Sequence, residues 1–146
     1  MTNPITARAI VAEASASDTG RQGSTMSIRK ILIVDDSATE RHMLNELLTK
    51  AGYQVIASDN GEDAIVKARM AKPDLILMDV VMPGLNGFQA TRAISRDPET
   101  KSIPVIMCTS KSQETDKIWG LRQGARDYVV KPVDREELLA KISSLG

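Results

Sequence analysis

The chain has 146 residues, of which 42% are hydrophobic, 26% charged and 3% aromatic, which is the length and composition of one globular domain. Lysine and arginine together number 19, as do aspartate and glutamate, so the formal net charge is zero. A neutral chain lacks the basic surface that binds nucleic acid or an anionic membrane without regard to sequence, and we therefore expect proteins or small ligands as its partners.

The N-terminal segment, residues 1–27, is rich in Ala, Ser and Thr and ends in a stretch of Gly, Ser and Thr. It shows no apolar stripe with helical spacing, and its one apolar patch, at residues 9–12, is too short for the core of a signal peptide. We therefore predict that residues 1–27 are a disordered extension and that residues 28–146 form the folded domain.

From Arg29 onward, short apolar runs alternate with segments that have helical spacing, and this alternation is typical of βαβ units in a parallel sheet. The predicted strands are residues 30–34, 54–57, 74–78, 104–108 and 127–130. The first, third and fourth are apolar without interruption, as strands covered on both faces are, so we expect these three to be central. The predicted fold class is a doubly wound α/β sandwich with five parallel strands.

Each helical segment carries an apolar stripe that predicts its buried face. The stripes are Met43, Leu44, Leu47, Leu48 and Ala51; Ala64, Ile65, Ala68 and Ala71; Phe88, Thr91 and Ile94; Ile118, Leu121, Arg122 and Ala125; and Leu138, Leu139, Ile142 and Leu145. Trp119 falls outside the fourth stripe, so its side chain either packs on its own surface or anchors a protein partner.

Cys108, the only cysteine, lies in the apolar fourth strand and excludes an intramolecular disulfide. We expect a buried, unreactive thiol in a reducing compartment, which indicates the cytoplasm. No apolar run exceeds four residues, whereas a membrane-spanning helix needs about 18 or more, so we expect no membrane insertion.

Polar side chains follow four of the strands. Asp35 and Asp36 come after the first, Asp79 after the third, Thr109 and Ser110 after the fourth, and Lys131 after the fifth. Because ligands bind at the carboxyl ends of the strands in such sheets, we expect these side chains to converge there. Taken singly, an aspartate pair at a helix start could serve only as a cap. Ser37 and Glu40, however, have the spacing of a capping box that needs neither aspartate.

Three carboxylates that share one pocket repel each other unless protons or a cation neutralise them. A small set of oxygen ligands favours Mg²⁺, which commonly acts beside phosphate oxygens. A metal ion, an ammonium group and a hydroxyl at one place are suited to stabilising the charge of a phosphoryl group during transfer. The sequence therefore indicates phosphoryl chemistry at the strand ends.

The runs KILIVDDS, LILMDVVMPGLNG, PVIMCTS and YVVKP, in this order, resemble the receiver domain of bacterial two-component response regulators, the CheY-like family. The resemblance covers residues 29–146 and implies the strand order 2-1-3-4-5. It also implies that Asp79 accepts phosphate from a histidine kinase, with Mg²⁺ as the cofactor. Such a protein is a phosphoacceptor rather than an enzyme acting on a separate substrate.

The resemblance implies a role for each remaining site residue. Asp36, Asp79 and the backbone carbonyl of Val81 would hold Mg²⁺, and Asp35 would act through a metal-bound water. Lys131, joined to Pro132 by a cis peptide bond, would neutralise a phosphate oxygen. The other implied residues are Thr109, which would bond to the phosphoryl group; Tyr128, which would turn in behind it; and Trp119, on the output face formed by the fourth helix, fifth strand and fifth helix.

Within the family, VVMPGLNGFQATR and QETDKIWGLRQGARDYVVKPVD are most similar to PilH-type regulators of type IV pilus twitching motility. We expect a stand-alone receiver, a monomer or weak dimer, that is loaded by a CheA-like kinase and acts on a downstream protein target. A flagellar chemotaxis receiver or a phosphate sink would have nearly the same site. A Mg²⁺-dependent aspartyl-phosphate phosphohydrolase is a remote alternative, because such enzymes usually carry a second Asp where this chain has Val81. A flavodoxin-like nucleotide binder is disfavoured because acidic residues stand where its phosphate loop would be.

Overall fold

The computed structural model describes residues 27–109 and 114–145, so almost all of the predicted N-terminal extension lies outside the described residues. In the described part, strands and helices alternate along the chain as predicted. The elements are β1 (Lys30–Val34), α1 (Ala38–Lys50), β2 (Gln54–Ser58), α2 (Gly61–Ala71), β3 (Leu75–Asp79), α3 (Gly87–Arg96), β4 (Val105–Thr109), α4 (Glu114–Arg122), β5 (Asp127–Val130) and α5 (Arg135–Leu145).

The five strands form one parallel sheet in the order β2-β1-β3-β4-β5, which confirms the predicted fold class. The interior strands β1, β3 and β4 are the three with unbroken apolar runs. Val34 pairs with Met78, and Asp79 pairs with Cys108, so these strands end at nearly the same level. The strand order reverses between β1 and β3, which opens a crevice beyond their carboxyl ends.

The strands β3 and β4 each begin and end one residue later than predicted. Pro104 has no backbone N–H to donate, and it stands just before β4. The Asp74 carboxylate accepts hydrogen bonds from the backbone N–H groups of Arg29 and Lys30, at 3.0 and 2.9 Å. Asp74 thus links the loop before β3 to the start of β1. Asp79, which pairs with Cys108, and Thr109, which pairs with Val130, are the last residues of their strands.

The sheet separates two apolar layers. Ile31 and Ile33 of β1 face a layer that contains buried residues of α1 and α5, whereas Leu32 and Val34 face a layer with residues of α2 and α3. Cys108 is buried in the α1–α5 layer, and burial raises the pKa of its thiol to about 12. The thiol is therefore protonated and unreactive at neutral pH, as expected.

The predicted stripes agree with the buried faces of α1, α2, α3 and α5 in most positions. Leu44 and Leu48 of α1 are buried, as are Leu138 and Ile142 of α5. Met43 is an exception, because its side chain is 54% exposed and lies beside the inward-facing Leu44. The prediction that Met43 belongs to the buried stripe is therefore wrong, and Ala51, predicted in the same stripe, is exposed as well.

The prediction for α4 is wrong for Ile118, Leu121 and Arg122, which are exposed, whereas Ala125, just beyond the helix, is buried as predicted. Ile118 and Leu121 are 53% and 46% exposed, and neighbouring Trp119 is 51% exposed. The helix instead contacts the sheet through Gly120, where a Cβ atom would lie only 2.8 Å from Cγ of Met107 on β4. Because a glycine makes the close contact, the large apolar residues beside it face outward.

None of the helices in the described ranges combines the length and the apolar character needed to cross a membrane.

Candidate functional site

The predicted site residues reach the carboxyl edge of the sheet from separate strands. Asp35 and Asp36 follow β1, Asp79 ends β3, Thr109 ends β4, and Lys131 follows β5. Since the strands are parallel and in register, these residues lie at one edge although they are far apart in sequence. The sheet therefore assembles the predicted cluster.

The three aspartates form a compact group of carboxylates. Asp35, Asp36 and Asp79 each offer an oxygen, and these oxygens all lie within 4.8 Å of one another. Asp35 and Asp79 are buried, with 2% and 7% of their surface exposed, whereas Asp36 is exposed. The group is thus open to solvent on the Asp36 side and closed beneath by the sheet.

Lys131 bridges two of these carboxylates. Its Nζ lies 2.9 Å from Oδ1 of Asp79 and 3.0 Å from Oδ2 of Asp35. Burial lowers the pKa of Lys131, but the hydrogen bonds and charges of the two aspartates outweigh burial, so the pKa lies above its usual range. The lysine therefore stays charged and offsets part of the negative charge around it.

The pKa of Asp79 is raised above its ordinary value. Burial is the main cause, and the neighbouring charges of Asp35 and Asp36 act in the same direction. The contact with Lys131 lowers the pKa, but it does not compensate for these effects. Asp79 is therefore a partly desolvated carboxylate beside a cation.

Thr109 lies on β4, the strand beside β3, and Tyr128 lies on β5, the strand beside β4. Thr109 is buried, with Oγ1 3.5 Å from the Val129 carbonyl oxygen, and its own carbonyl accepts the Lys131 N–H at 2.7 Å. Tyr128 is half-buried against the α2–α3 layer, and Nζ of Lys141 lies 5.4 Å from the centre of its ring. The Lys131–Pro132 peptide bond is cis, as the family resemblance implies.

Two predicted positions lie at the margin of this group. Val81 stands two residues beyond Asp79 with its side chain 69% exposed, so it lies at the rim, and the metal-binding role of its carbonyl stays a prediction. Trp119 lies on α4 rather than at the carboxyl edge, and its exposed ring leaves the predicted partner role open. Ser110 lies outside the described residues.

The start of α1 is capped differently from the prediction. Oγ of Ser37 accepts the Glu40 N–H at 3.2 Å, as a capping serine does, but the Ser37 N–H donates to Oδ1 of Asp35 at 2.9 Å. The proposed capping box would require Glu40 to accept that hydrogen. Asp35 therefore takes part in capping, and the same carboxylate ties the helix start to Lys131.

Three residues at the site were missed by the sequence reasoning. The carbonyl oxygen of Ser58 accepts the Asp35 N–H at 3.1 Å, and Nη1 of Arg41 donates to the Asp35 carbonyl oxygen at 2.7 Å. Gly87 begins α3 against the backbone of Asp79, where any Cβ would overlap the Asp79 carbonyl oxygen. Only Gly87 had a visible signal, since it is a glycine at a predicted helix start. Ser58 acts through its main-chain carbonyl, and Arg41 contacts a main-chain carbonyl of Asp35, and such carbonyls carry no residue-specific pattern.

Comparison with known proteins decides the family. A sequence model described as the response regulator receiver domain matches residues 31–143. The chain belongs to the response regulator receiver family. This receiver domain is 60% identical over 116 residues to the protein PilH of Pseudomonas aeruginosa, an alignment that covers 80% of the chain and 96% of PilH. The resemblance to PilH-type regulators is thereby confirmed.

Solved structures agree with this assignment. The chemotaxis protein CheY4 of Vibrio cholerae has a TM-score of 0.76 with this receiver domain at 34% identity, covering 82% of the chain and all of CheY4. The receiver domain of the sensor histidine kinase PA1611 of Pseudomonas aeruginosa has a TM-score of 0.75 at 30% identity, covering 82% of the chain and 98% of that domain. Its structure holds a magnesium ion in the active-site cleft.

Receiver domains bind Mg²⁺ in an acidic pocket, and the residues of this chain fit that ion. Asp35, Asp36 and Asp79 present only oxygen ligands, and the exposed side of the group leaves room for the water molecules that Mg²⁺ usually retains. Lys131 supplies one positive charge against three carboxylates, so the group still favours a cation.

Proposed function

We propose that this receiver domain accepts a phosphoryl group on Asp79 from a histidine kinase and that phosphorylation changes its protein contacts. The observation that carries the proposal is the position of Asp79. Its carboxylate lies at the end of a buried strand, 2.9 Å from the Lys131 ammonium and within 4.8 Å of two other carboxylates. In this reading the chain is a phosphoacceptor, and it does not turn over a separate substrate.

The transfer step follows from the chemistry of Asp79. A carboxylate oxygen of Asp79 attacks the phosphorus of a phosphohistidine; the new O–P bond forms as the P–N bond breaks, and the imidazole leaves with the bonding electron pair and takes up a proton. Lys131 remains protonated and neutralises charge on a phosphoryl oxygen. Since Lys131 already contacts Asp35, it is held in place before the phosphoryl group arrives.

We infer that Asp36, Asp79 and the backbone carbonyl of Val81 hold Mg²⁺ directly, and that Asp35 acts through a water molecule. When bound, Mg²⁺ neutralises the charge of the phosphoryl oxygens and orients them for in-line attack. The burial of Asp35 and its contacts with Lys131 and Ser37 support an indirect role, because both of its carboxylate oxygens already accept hydrogen bonds.

We propose that Thr109 and Tyr128 transmit the change. A hydroxyl at the end of β4 can donate to a phosphoryl oxygen, and Thr109 is buried at that position with its Oγ1 3.5 Å from the Val129 carbonyl oxygen. Tyr128 is the residue whose ring would then turn inward. The exposed ring of Trp119 supports α4 as part of the surface that a downstream protein reads.

For the pathway, we propose chemosensory control of type IV pilus twitching motility, with a CheA-like kinase as phosphodonor. The similarity to PilH along 96% of its length supports this choice over flagellar chemotaxis or a phosphate sink. We further propose that residues 28–146 form the receiver unit, that it acts in the cytoplasm, and that it is a monomer or weak dimer.

The chemical proposal is tested by incubating the protein with Mg²⁺ and a small phosphodonor and measuring its intact mass. We expect one added phosphoryl group, which is absent in Asp79→Asn and absent when EDTA removes the metal. The matched control is Asp59→Asn, which replaces an exposed aspartate after β2. This variant should still gain one phosphoryl group. An adduct that persists in Asp79→Asn would refute the assignment, and turnover of phosphomonoesters would favour a phosphohydrolase.

The pathway is tested separately in a deletion strain complemented with the unmodified gene or with the Asp79→Asn variant. We expect twitching to change in the deletion strain and in the variant, while swimming stays normal. A swimming defect without a twitching defect would favour a flagellar chemotaxis receiver and would leave the phosphoacceptor assignment intact.

A further inference from the structure

Asp35 is held at each of its polar main-chain and side-chain groups. Its backbone N–H donates to the Ser58 carbonyl at 3.1 Å, and its two carboxylate oxygens accept from the Ser37 N–H and from Nζ of Lys131. The fourth contact is the hydrogen bond of 2.7 Å from Nη1 of Arg41 to the Asp35 carbonyl oxygen. A charged side chain on α1 thus reaches back to the loop that precedes its own helix.

The carbonyl that Arg41 contacts belongs to the peptide bond joining Asp35 to Asp36. Fixing this carbonyl fixes the plane of that peptide, because the peptide unit is rigid. Asp36 lies between the end of β1 and the start of α1, and it is the exposed member of the carboxylate group, so neither the strand ladder nor burial orients it. The direction of the Asp36 side chain therefore depends on the orientation of this peptide.

The hydrogen bond from Arg41 to the Asp35 carbonyl oxygen is of a strong type. A hydrogen bond from a guanidinium group is shorter and stronger than one between neutral groups, and Arg41 is half-buried, which reduces competition from water. The backbone of Arg41 is fixed within the first turn of α1, since its N–H donates to the Ser37 carbonyl at 3.0 Å. The Arg41 side chain thus links the first turn of α1 to the loop between β1 and α1.

We propose that Arg41 is a positioning residue that sets the Asp35–Asp36 peptide and, through it, the Mg²⁺ affinity of the acidic pocket. This inference rests on the proposed Mg²⁺ site. Residues that orient metal ligands typically change metal affinity by 10- to 100-fold when they are removed, and we expect about tenfold here because one of several constraints on the loop is lost.

Charge alone predicts the opposite result. Arg41 is a cation that contacts the main chain of Asp35 in the loop that carries Asp35 and Asp36, so its removal should make the surroundings of the pocket more negative and should strengthen the binding of a divalent cation. Positioning predicts weaker binding after the same change. The sign of the change in Mg²⁺ affinity therefore separates the two roles.

The experiment measures the Mg²⁺ dissociation constant by calorimetry for the unmodified protein, Arg41→Ala, Arg41→Gln and Arg41→Lys. Arg96→Ala is the matched control, because it removes an exposed arginine at the end of α3 that lies away from Gly87 and Asp79. We expect Arg41→Ala and Arg41→Gln to bind about tenfold more weakly, Arg41→Lys to recover part of the affinity, and Arg96→Ala to stay within about twofold.

Unfolding in urea without Mg²⁺ checks that each variant is folded. If Arg41→Ala is unfolded, Arg41→Gln supplies the same comparison, since it also removes the charge but keeps more of the side chain. Binding as tight as in the unmodified protein, or tighter, in the neutral variants would overturn the positioning role and leave the Mg²⁺ site intact. Absence of Mg²⁺ binding by the unmodified protein would overturn this inference together with the Mg²⁺ part of the proposed function.

Discussion

Asp79 is the proposed phosphoacceptor, and its buried position makes ionisation of its carboxyl unfavourable. Burial and the two neighbouring aspartates raise its pKa, and Lys131 reduces this effect without cancelling it. When the pKa of a carboxyl is higher in the folded state than in the unfolded chain, ionisation of that carboxyl lowers the free energy of unfolding. The ionised carboxylate of Asp79 therefore destabilises the fold at neutral pH when no divalent cation is present.

Replacing Asp79 with asparagine should stabilise the protein. The destabilisation caused by the ionised Asp79 is absent below 3.8, the pKa of an aspartate in the unfolded chain. It develops as the pH rises through the higher pKa of the folded state, and it persists above that pKa. The amide does not ionise, and Lys131 keeps its contact with Asp35. In EDTA at pH 7 we expect the free energy of unfolding of Asp79→Asn, measured in urea, to exceed that of the unmodified protein by about 1 kcal/mol, with the difference shrinking toward pH 4.

Glu136→Gln is the control for this measurement, because it neutralises an exposed carboxylate in the first turn of α5. It should change stability by less than about 0.5 kcal/mol. If Asp79→Asn is less stable than the unmodified protein at pH 7 while Glu136→Gln is unchanged, the lost contact with Lys131 outweighs the relief of burial. The expected stabilisation is then refuted.

At the scale of single residues, the sequence was informative where the chemistry belongs to side chains. Asp35, Asp36, Asp79 and Lys131 could be predicted because charged residues directly after apolar strands are conspicuous. Arg41 could not be predicted, because its partner is a main-chain carbonyl that every residue possesses.

At the scale of elements, α4 differs from the other helices in how it contacts the sheet. Its close contact is made by Gly120, while the large apolar side chains of Ile118, Trp119 and Leu121 are about half exposed. The sequence pattern favoured Ile118 and Leu121 as part of the buried stripe, because periodicity weighs hydrophobic size and ignores how closely a small residue lets two backbones approach. Helices α1 and α5 fitted the pattern because leucine and isoleucine make their contacts.

The corrected face of α4 predicts unequal costs for two matched substitutions. Leu138 of α5 is fully buried, so Leu138→Ala removes packed atoms and leaves a cavity, at a cost of about 3 kcal/mol. Leu121 is 46% exposed, and Leu121→Ala should cost less than about 1 kcal/mol. Urea unfolding of both variants measures the difference, and equal costs would mean that Leu121 is packed in solution as the periodicity predicted.

At the scale of the whole molecule, the parallel sheet brings groups together that are distant in the chain. Its strands were predicted to within one residue at every end, because central strands buried on both faces must be apolar throughout. Their order came from the family resemblance, since apolar runs alone do not say which strands are neighbours. The two layers then followed from the alternation of side chains along each strand.

Because only the folded chain assembles the carboxylate group, Mg²⁺ should stabilise the fold. At a Mg²⁺ concentration 100 times the dissociation constant, we expect the free energy of unfolding to rise by about 2.7 kcal/mol. Asp36→Ala removes the exposed member of the proposed ligand set and should abolish most of this increase. Asp59→Ala, which replaces an exposed aspartate after β2, should retain it. Urea unfolding with and without Mg²⁺ measures the effect, and an undiminished increase in Asp36→Ala would place the ion elsewhere.

The buried thiol of Cys108 has a practical consequence for observing these changes in solution. It is the only cysteine in the sequence, it is shielded by the core, and its pKa of about 12 keeps it protonated. A second cysteine introduced on the surface, for example by Ile118→Cys on α4, would therefore be alkylated selectively in the native protein. Spin labels or fluorophores can thus be attached at chosen positions without first removing the natural cysteine.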